Sequence, residues 1–209
     1  MNASWYFDFI SPFSYLQLAK VRALEPRLSI EPVPILFGAV LKHHGQLGPA
    51  EIRGKREFTY RFVQWQADRE GIALKFPPAH PFNPIAALRL AIAAGTTWNA
   101  VTAIFDHLWK EGRAGDDAAS LADVARALGI DDVENAISRD NVKAALRANT
   151  ESAIASGVFG VPTLRFGAEL FWGNDATAMI EDWLERPRVF DGAEYRRIAV
   201  LPKAIERAR

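Results

Sequence analysis

At 209 residues, with 49% hydrophobic and 24% charged side chains, the chain has the size and composition of one large globular domain or a compact domain carrying an insertion. Lysine plus arginine equals aspartate plus glutamate at 25 each, which removes any overall attraction to nucleic acid or an anionic membrane. Cysteine is absent, excluding disulfides, thiolate metal sites and a protein-borne Cys-x-x-Cys redox pair, so any thiol used here must arrive with a small molecule.

No apolar run reaches bilayer length, since Arg89, Asp106 and Lys110 interrupt the candidates. The start Met1-Asn2-Ala3-Ser4 lacks the early basic residue and unbroken apolar core of a secretory signal, so a cytoplasmic location is the expectation. Residues 4–10, Ser-Trp-Tyr-Phe-Asp-Phe-Ile, are aromatic and β-favouring and predict a buried strand. Ser11-Pro12 stops it, because serine can cap free amides and proline suits the first helical position. The helix that follows places Tyr15, Leu16, Leu18, Ala19 and Leu24 on an apolar face and ends before Pro26. A second strand is predicted over 30–37, with Pro32 and Pro34 marking an irregular or edge position.

The middle of the chain is helical. Residues 55–69 carry Phe58, Phe62 and Trp65 along one face at i, i+4 and i+7. Asn83-Pro84 opens an alanine- and leucine-rich helix to Ala94, closed by Gly95. Further helical patterns run over 98–109, 120–128, 132–138 and 140–156. Strand character returns in 163–166 and 169–172, joined tightly by Gly167-Ala168. Asp175 can then cap a helix through Leu184 whose apolar face is Ala176, Met179, Ile180 and Trp183. The tail from Pro187 reads as a loop and a final helix. The order β-α-β, helices, β-β-α predicts an α/β domain (1–37 plus 158–209) with a helical subdomain (38–157) inserted into it.

That order, with Val161-Pro162-Thr163 opening the hairpin, resembles the thioredoxin superfamily in its DsbA-like, helix-inserted branch. There the turn after the first strand carries Cys-x-x-Cys; here Ser11-Pro12-Phe13-Ser14 stands in its place. The run Phe7-Asp8-Phe9-Ile10-Ser11-Pro12-Phe13-Ser14-Tyr15 is similar to the opening of 2-hydroxychromene-2-carboxylate isomerases and the kindred kappa-class glutathione transferases. Three further stretches agree in the correct order: His80-Pro81-Phe82-Asn83-Pro84, Gly157-Val158-Phe159-Gly160-Val161-Pro162-Thr163 and Phe171-Trp172-Gly173-Asn174-Asp175. The resemblance implies a thioredoxin-like fold with a large all-helical insertion, and glutathione as cofactor.

Ser11 is the catalytic candidate and also a glutathione contact. A helix N-terminus offers free amides and a positive dipole end, so a glutathione thiol set there and given a hydrogen bond by Ser11 Oγ becomes more acidic and more reactive near neutral pH. No histidine is evident beside Ser11 to serve as its base, so the serine reads as an activator of a bound thiolate and not as the attacking group. Ser14, one turn on, is expected at the helix surface or as a minor contact. The resemblance implies a cis Val161-Pro162 bond, with the exposed Val161 backbone pairing to the cysteinyl part of glutathione like an added strand. It implies that Trp172, Gly173, Asn174 and Asp175 receive the γ-glutamyl end, Asp175 suiting its ammonium. The resemblance also implies Lys42, with Arg53 and Asn83 as further candidates, for contact with a small aromatic carboxylate substrate.

His43 and His44 are adjacent, and His80 and His107 have no ligand-like spacing, so no metal site is expected. Phosphate-cradling and dinucleotide glycine motifs are missing, and the tryptophans come without a basic stripe, so no nucleic acid partner is expected either. The resemblance further implies a homodimer, though no feature of the sequence marks an interface. The activity implied is a glutathione-dependent isomerase interconverting 2-hydroxychromene-2-carboxylate and trans-o-hydroxybenzylidenepyruvate or a similar aromatic catabolite. Two alternatives stay open: a kappa-like glutathione transferase or peroxidase, and a non-catalytic thioredoxin-like binding module.

Overall fold

In the computed structural model, which describes residues 1–205, the N-terminal aromatic run forms strand β1 (Asn2–Phe7), and its alternation decides what packs where. Ala3, Trp5 and Phe7 point to one face and Tyr6 to the other, as a period of two requires. On the first face Trp5 stacks on Phe7 at 4.7 Å and Phe9 meets Phe105 at 4.6 Å, beneath helices α1 (Pro12–Ala23), α4 (Ile85–Ala93) and α5 (Trp98–Phe105). Truncating such a ring costs about 3–5 kcal/mol. On the other face Tyr6 joins Ile35, Val40, Val158 and Val161 under α2 (Phe37–His44) and a helix near the end of the helical block.

The sheet has the order β2–β1–β3–β4. β2 (Ser29–Pro34) runs parallel to β1, β3 (Thr163–Phe166) antiparallel to β1, and β4 (Glu169–Trp172) antiparallel to β3. β2 is an edge strand, which is where Pro32 and Pro34 can stand without breaking a ladder on both sides. Between β2 and β3 lie α2, α3 (Lys55–Glu70), α4, α5, a π turn over Asp106–Lys110, α6 (Ala122–Ala127), α7 (Val133–Ser138) and α8 (Asp140–Ala155). After β4 come a 3-10 turn over Asn174–Ala176, α9 (Thr177–Glu185) and α10 (Ala193–Ala199). This is the β-α-β, helices, β-β-α order of an α/β, thioredoxin-like fold with a helical insertion. Positions 206–209 of the expected segment 158–209 lie outside the described residues. Among the described residues no helix is long and apolar enough to cross a membrane.

Local differences from expectation have physical causes. β1 stops at Phe7, not at residue 10, because Asp8 folds its carboxylate back onto the Ile10 amide and leaves the ladder. Phe37 starts α2 instead of ending β2, its amide bonded to Asp8. Ala19 is exposed on α1, and Met179 is 47% exposed on α9 while Ile180 and Trp183 enter the core. The aromatic face of α3 points outward: Val63 and Ala67 pack inward with Leu16 of α1.

Candidate active site

The turn between β1 and α1 has each of its backbone groups from Phe9 to Ser11 held. The Phe9 carbonyl accepts from Trp109 Nε1 at 2.8 Å, and the Ile10 amide donates to Asp8 Oδ1 at 3.1 Å. The Ile10 carbonyl receives His80 Nε2 at 2.8 Å, and the Ser11 amide donates to the Asp8 carbonyl at 3.1 Å. Ser11 N-caps α1, its Oγ accepting from the Ser14 amide at 3.2 Å. A hydroxyl that already accepts in this way keeps its own proton to donate elsewhere. Pro12 has no amide hydrogen, and the Phe13 N–H has no acceptor among the described residues. Two donors, Ser11 Oγ–H and Phe13 N–H, therefore stand free at the positive end of a twelve-residue helix. Ser14 is not at the helix surface: it is fully buried, and its Oγ has no hydrogen-bond partner among the described residues.

Two titratable groups support this turn, and the sequence alone marked neither. Asp8 is fully buried, with Oδ1 accepting from Ile10 and Oδ2 accepting from the Phe37 amide at 2.8 Å. Burial pushes its carboxyl up to about 7, against the lowering pull of the Phe37, Ile10 and Phe9 amides. One carboxyl thus ties the turn to the first amide of α2. His80 stands on the other side, so a histidine is present near Ser11 after all. Because a carbonyl can only accept, its Nε2 carries the proton that meets Ile10, and it is a donor to the turn and not a base for Ser11. Burial lowers its pKa, with Arg56 adding to the effect and the Ile10 bond opposing it. The neutral ring leaves Nδ1 as an acceptor 2.7 Å from the Tyr60 hydroxyl, whose one proton is shared with the His80 carbonyl, also at 2.7 Å, and Arg56 Nη2 donates to that same carbonyl at 2.9 Å. His80→Ala is expected to lose about 1–3 kcal/mol of unfolding free energy by orphaning the Ile10 carbonyl. His80→Gln, whose amide can still donate there, should lose less; chemical denaturation at neutral pH measures both.

The second wall comes from the hairpin. Val161-Pro162 is cis, as is His80-Pro81. Thr163 pairs with Tyr6, so the same register continued past the ladder sets Val161 opposite Asp8, beside the turn. Val161 is buried rather than exposed, and neither its N–H nor its C=O is paired among the described residues. Trp172, half exposed, lies over Gly160, where an added Cβ would sit 2.4 Å from its Nε1, and meets Phe159 at 5.3 Å.

The loop after Trp172 is fastened to α1. The Gly173 amide donates to the Pro162 carbonyl at 2.8 Å, and Gln17, fully buried, takes Trp5 Nε1 on Oε1 and donates from Nε2 to the Gly173 carbonyl. Gly173 has φ +97, and a Cβ there would meet Asp175 Oδ1 at 2.5 Å, so a side chain is excluded both by conformation and by space. Asn174 is buried with its Oδ1 taken by Lys20 Nζ at 2.9 Å, which makes it part of the loop's framework. Asp175 does not cap α9; it sits in the 3-10 turn, and α9 begins two residues on without a side-chain cap. Its carboxylate is exposed and makes no ion pair among the described residues.

The three substrate candidates are dispersed. Lys42 is an exposed cation on α2 without an ion pair among the described residues. The helix carrying it is held to the turn by Asp8 and to the strand approach by His44 Nε2, 3.3 Å from the Val158 carbonyl. Asn83 shares the His80 segment, but its Oδ1 accepts from the Ile85 amide at 3.1 Å and so starts α4. Arg53 is exposed in the turn before α3, and no bond ties it to the Ser11 turn. Among the described residues no cluster of histidine and acidic groups could hold a metal ion.

A thioredoxin-type helix N-terminus facing a cis proline, with helices inserted between β2 and β3, defines a class. The chain belongs to the DsbA-like thioredoxin family, whose domain is matched over residues 4–185. Within it the chain falls among the 2-hydroxychromene-2-carboxylate isomerase family. It is 33% identical over 186 residues to a protein so named from Pseudomonas sp. (strain C18), covering 85% of this chain and 87% of that one. A solved structure of a 2-hydroxychromene-2-carboxylate isomerase superposes with a TM-score of 0.78 at 29% identity, covering 97% of this chain and 100% of that one. A more distant relative is glutathione S-transferase kappa 2 of Caenorhabditis elegans, 23% identical over 205 residues, covering 88% of this chain and 91% of that one.

Proposed function

We propose that this chain is a glutathione-dependent isomerase that interconverts 2-hydroxychromene-2-carboxylate and trans-o-hydroxybenzylidenepyruvate or a closely similar aromatic catabolite. The observation that carries the reading is the state of Ser11: its Oγ already accepts from Ser14, so its proton is available as a donor at a helix N-terminus in a chain with no thiol of its own. The names of the relatives support both halves of it, isomerase in the nearer ones and glutathione in the kappa-class one. The unpaired Val161 backbone and the orphaned Ser14 hydroxyl suit an extended peptide-like cofactor. When bound, glutathione supplies a thiol that can serve both as nucleophile and as leaving group toward a conjugated carbonyl.

The residues divide the work. Ser11 Oγ–H and Phe13 N–H donate to the sulfur position and hold it as an anion, helped by the dipole of α1. Val161 offers its N–H and C=O to the cysteinyl unit in antiparallel fashion. Trp172 closes one side, and Gly173 with Asn174 shapes the loop that presents Asp175 to the γ-glutamyl ammonium. Lys42, as an unpaired cation on the helix tethered to the turn, receives the substrate carboxylate; Arg53 and Asn83 are secondary candidates for it. The same reading places the protein in the cytoplasm, where glutathione is abundant and reduced.

Purified protein should isomerise 2-hydroxychromene-2-carboxylate in the presence of glutathione and lose that activity on removal of glutathione, with calorimetry showing glutathione binding at millimolar concentrations or below. Isomerisation that persists without glutathione would sink the proposal. Activity confined to an aryl halide would favour a kappa-like transferase, and no glutathione binding would favour the binding module.

A further inference from the structure

Gln17 is a fully buried amide in the middle of α1, and both ends of it are occupied. Its Oε1 accepts from Trp5 Nε1 at 2.8 Å, and its Nε2 donates to the Gly173 carbonyl at 2.9 Å. A buried amide that missed either partner would destabilise the fold, so this side chain fits one placement of the loop. One turn on, Lys20 Nζ reaches the same loop, donating to Asn174 Oδ1 at 2.9 Å, while Glu70 of α3 steadies it at 2.8 Å. The Asn174 carbonyl is held in turn by Thr177 Oγ1 at 2.8 Å. Gly173 and Asn174 are thus fixed from α1, and Lys20 is drawn to Asn174 and Glu70. The Asp175 carboxylate stays exposed, with no ion pair among the described residues.

The two anchors lie along a helix whose start holds the sulfur position. Ser11 caps α1, and Gln17 and Lys20 follow it by six and nine residues, which at 1.5 Å per residue is about 9 Å and about 14 Å along the axis. A rigid helix therefore sets how far Asp175 stands from the Ser11 and Phe13 donors. Thiol carriers differ in the same dimension. Sulfur and free ammonium are three bonds apart in cysteine, six in an α-linked glutamyl-cysteine peptide and eight in a γ-linked one, the last about 10 Å when extended. Of these only the γ-linked chain matches the spacing of the anchors.

We propose that Gln17 and Lys20 are positioning residues that make α1 a ruler for γ-glutamyl thiols, fixing the loop so that Asp175 meets an ammonium eight bonds from the sulfur. The inference rests on the glutathione reading above and adds to it a discrimination between γ-linked and α-linked thiol peptides. Calorimetry with γ-glutamylcysteine, its α-linked isomer and glutathione tests it. Wild type should bind the γ-linked dipeptide at least about tenfold more tightly than the α-linked one. Lys20→Met should weaken glutathione about tenfold and bring the two dipeptides to within about threefold of each other. Lys20→Arg, whose fork can still donate to Asn174 and Glu70, should keep the wild-type preference. Gln17→Met should also lose the preference, and the Lys20 pair decides the matter even if that variant fails to fold. In turnover the change should fall on KM for glutathione, with kcat moving less than about threefold, because the donors at the sulfur are untouched. Equal binding of the two dipeptides by wild type, or a preference that survives Lys20→Met, overturns the ruler. A chain that shows the preference yet does not isomerise the chromene overturns the activity proposed above and leaves the ruler standing. No binding of glutathione at all overturns both.

Discussion

Ser11→Ala is expected to lower kcat/KM for glutathione-dependent isomerisation by about a hundredfold while costing only about 1 kcal/mol of stability. The stability loss is that of one N-cap, because Ser11 Oγ accepts a single bond, from the Ser14 amide at 3.2 Å. The activity loss is larger because the same hydroxyl is one of two free donors at the sulfur position, and removing one preorganised donor weakens the stabilisation of a developing anion. The pH profile separates activator from nucleophile. An activator works by lowering the thiol pKa, so the alanine variant should regain activity as pH rises toward the value of a free thiol, about 8.5. If Ser11 were the attacking group, alkaline pH would rescue nothing. Rates of wild type and variant from pH 6 to 9, with unfolding curves alongside, test both halves. An alanine variant with full activity at neutral pH would remove Ser11 from the mechanism.

What could be read from the sequence was what is local. Ser11-Pro12 announces a helix start within two residues, and α1 begins at Pro12. The hairpin around Gly167-Ala168 and the edge character of the strand bearing Pro32 and Pro34 were equally local, and both are found. The supports of the turn were not legible, because each is a side-chain bond between distant segments: His80 to Ile10 across 70 residues, Asp8 to Phe37 across 29, Gln17 to Gly173 across 156. Nothing in the composition around His80 distinguishes a ring that clamps a carbonyl from one in solvent. Periodicity also has a blind side. It put Phe58, Phe62 and Trp65 on one face of α3 correctly, but a face rich in aromatic rings is apolar whether it meets the core or a second molecule, and here Val63 and Ala67 took the inner side. Asp175 shows the converse error, a capping residue by type that the 3-10 turn placed one position before the N-cap of α9, Ala176.

Asp8 makes the second large prediction, one of sign as much as size. Its folded pKa of about 7 stands above the unfolded value of 3.8, so between those pH values the folded state holds a proton that the unfolded state has released. Stability therefore falls as pH rises through this window, is fully present below 3.8, and levels off above about 7. At 1.36 kcal/mol per unit the whole interval is worth about 4 kcal/mol. Other acids titrate in the same range, so the quantity to measure is the difference from Asp8→Asn, which cannot ionise there. Denaturant unfolding of both proteins at intervals from pH 4 to 8 should show the asparagine variant gaining on wild type by about 4 kcal/mol, with little further change above that. A difference that stays flat would mean that the carboxyl ionises as easily inside the fold as outside it. The gain in stability should come with a loss of turnover, because an amide has one acceptor oxygen where the carboxylate has two. Asparagine can keep the Ile10 amide or the Phe37 amide but not both, so either the Ser11 turn or the helix bearing Lys42 is released. A fully buried acid that costs stability near neutral pH is retained, on this account, because it fixes the geometry between those two elements.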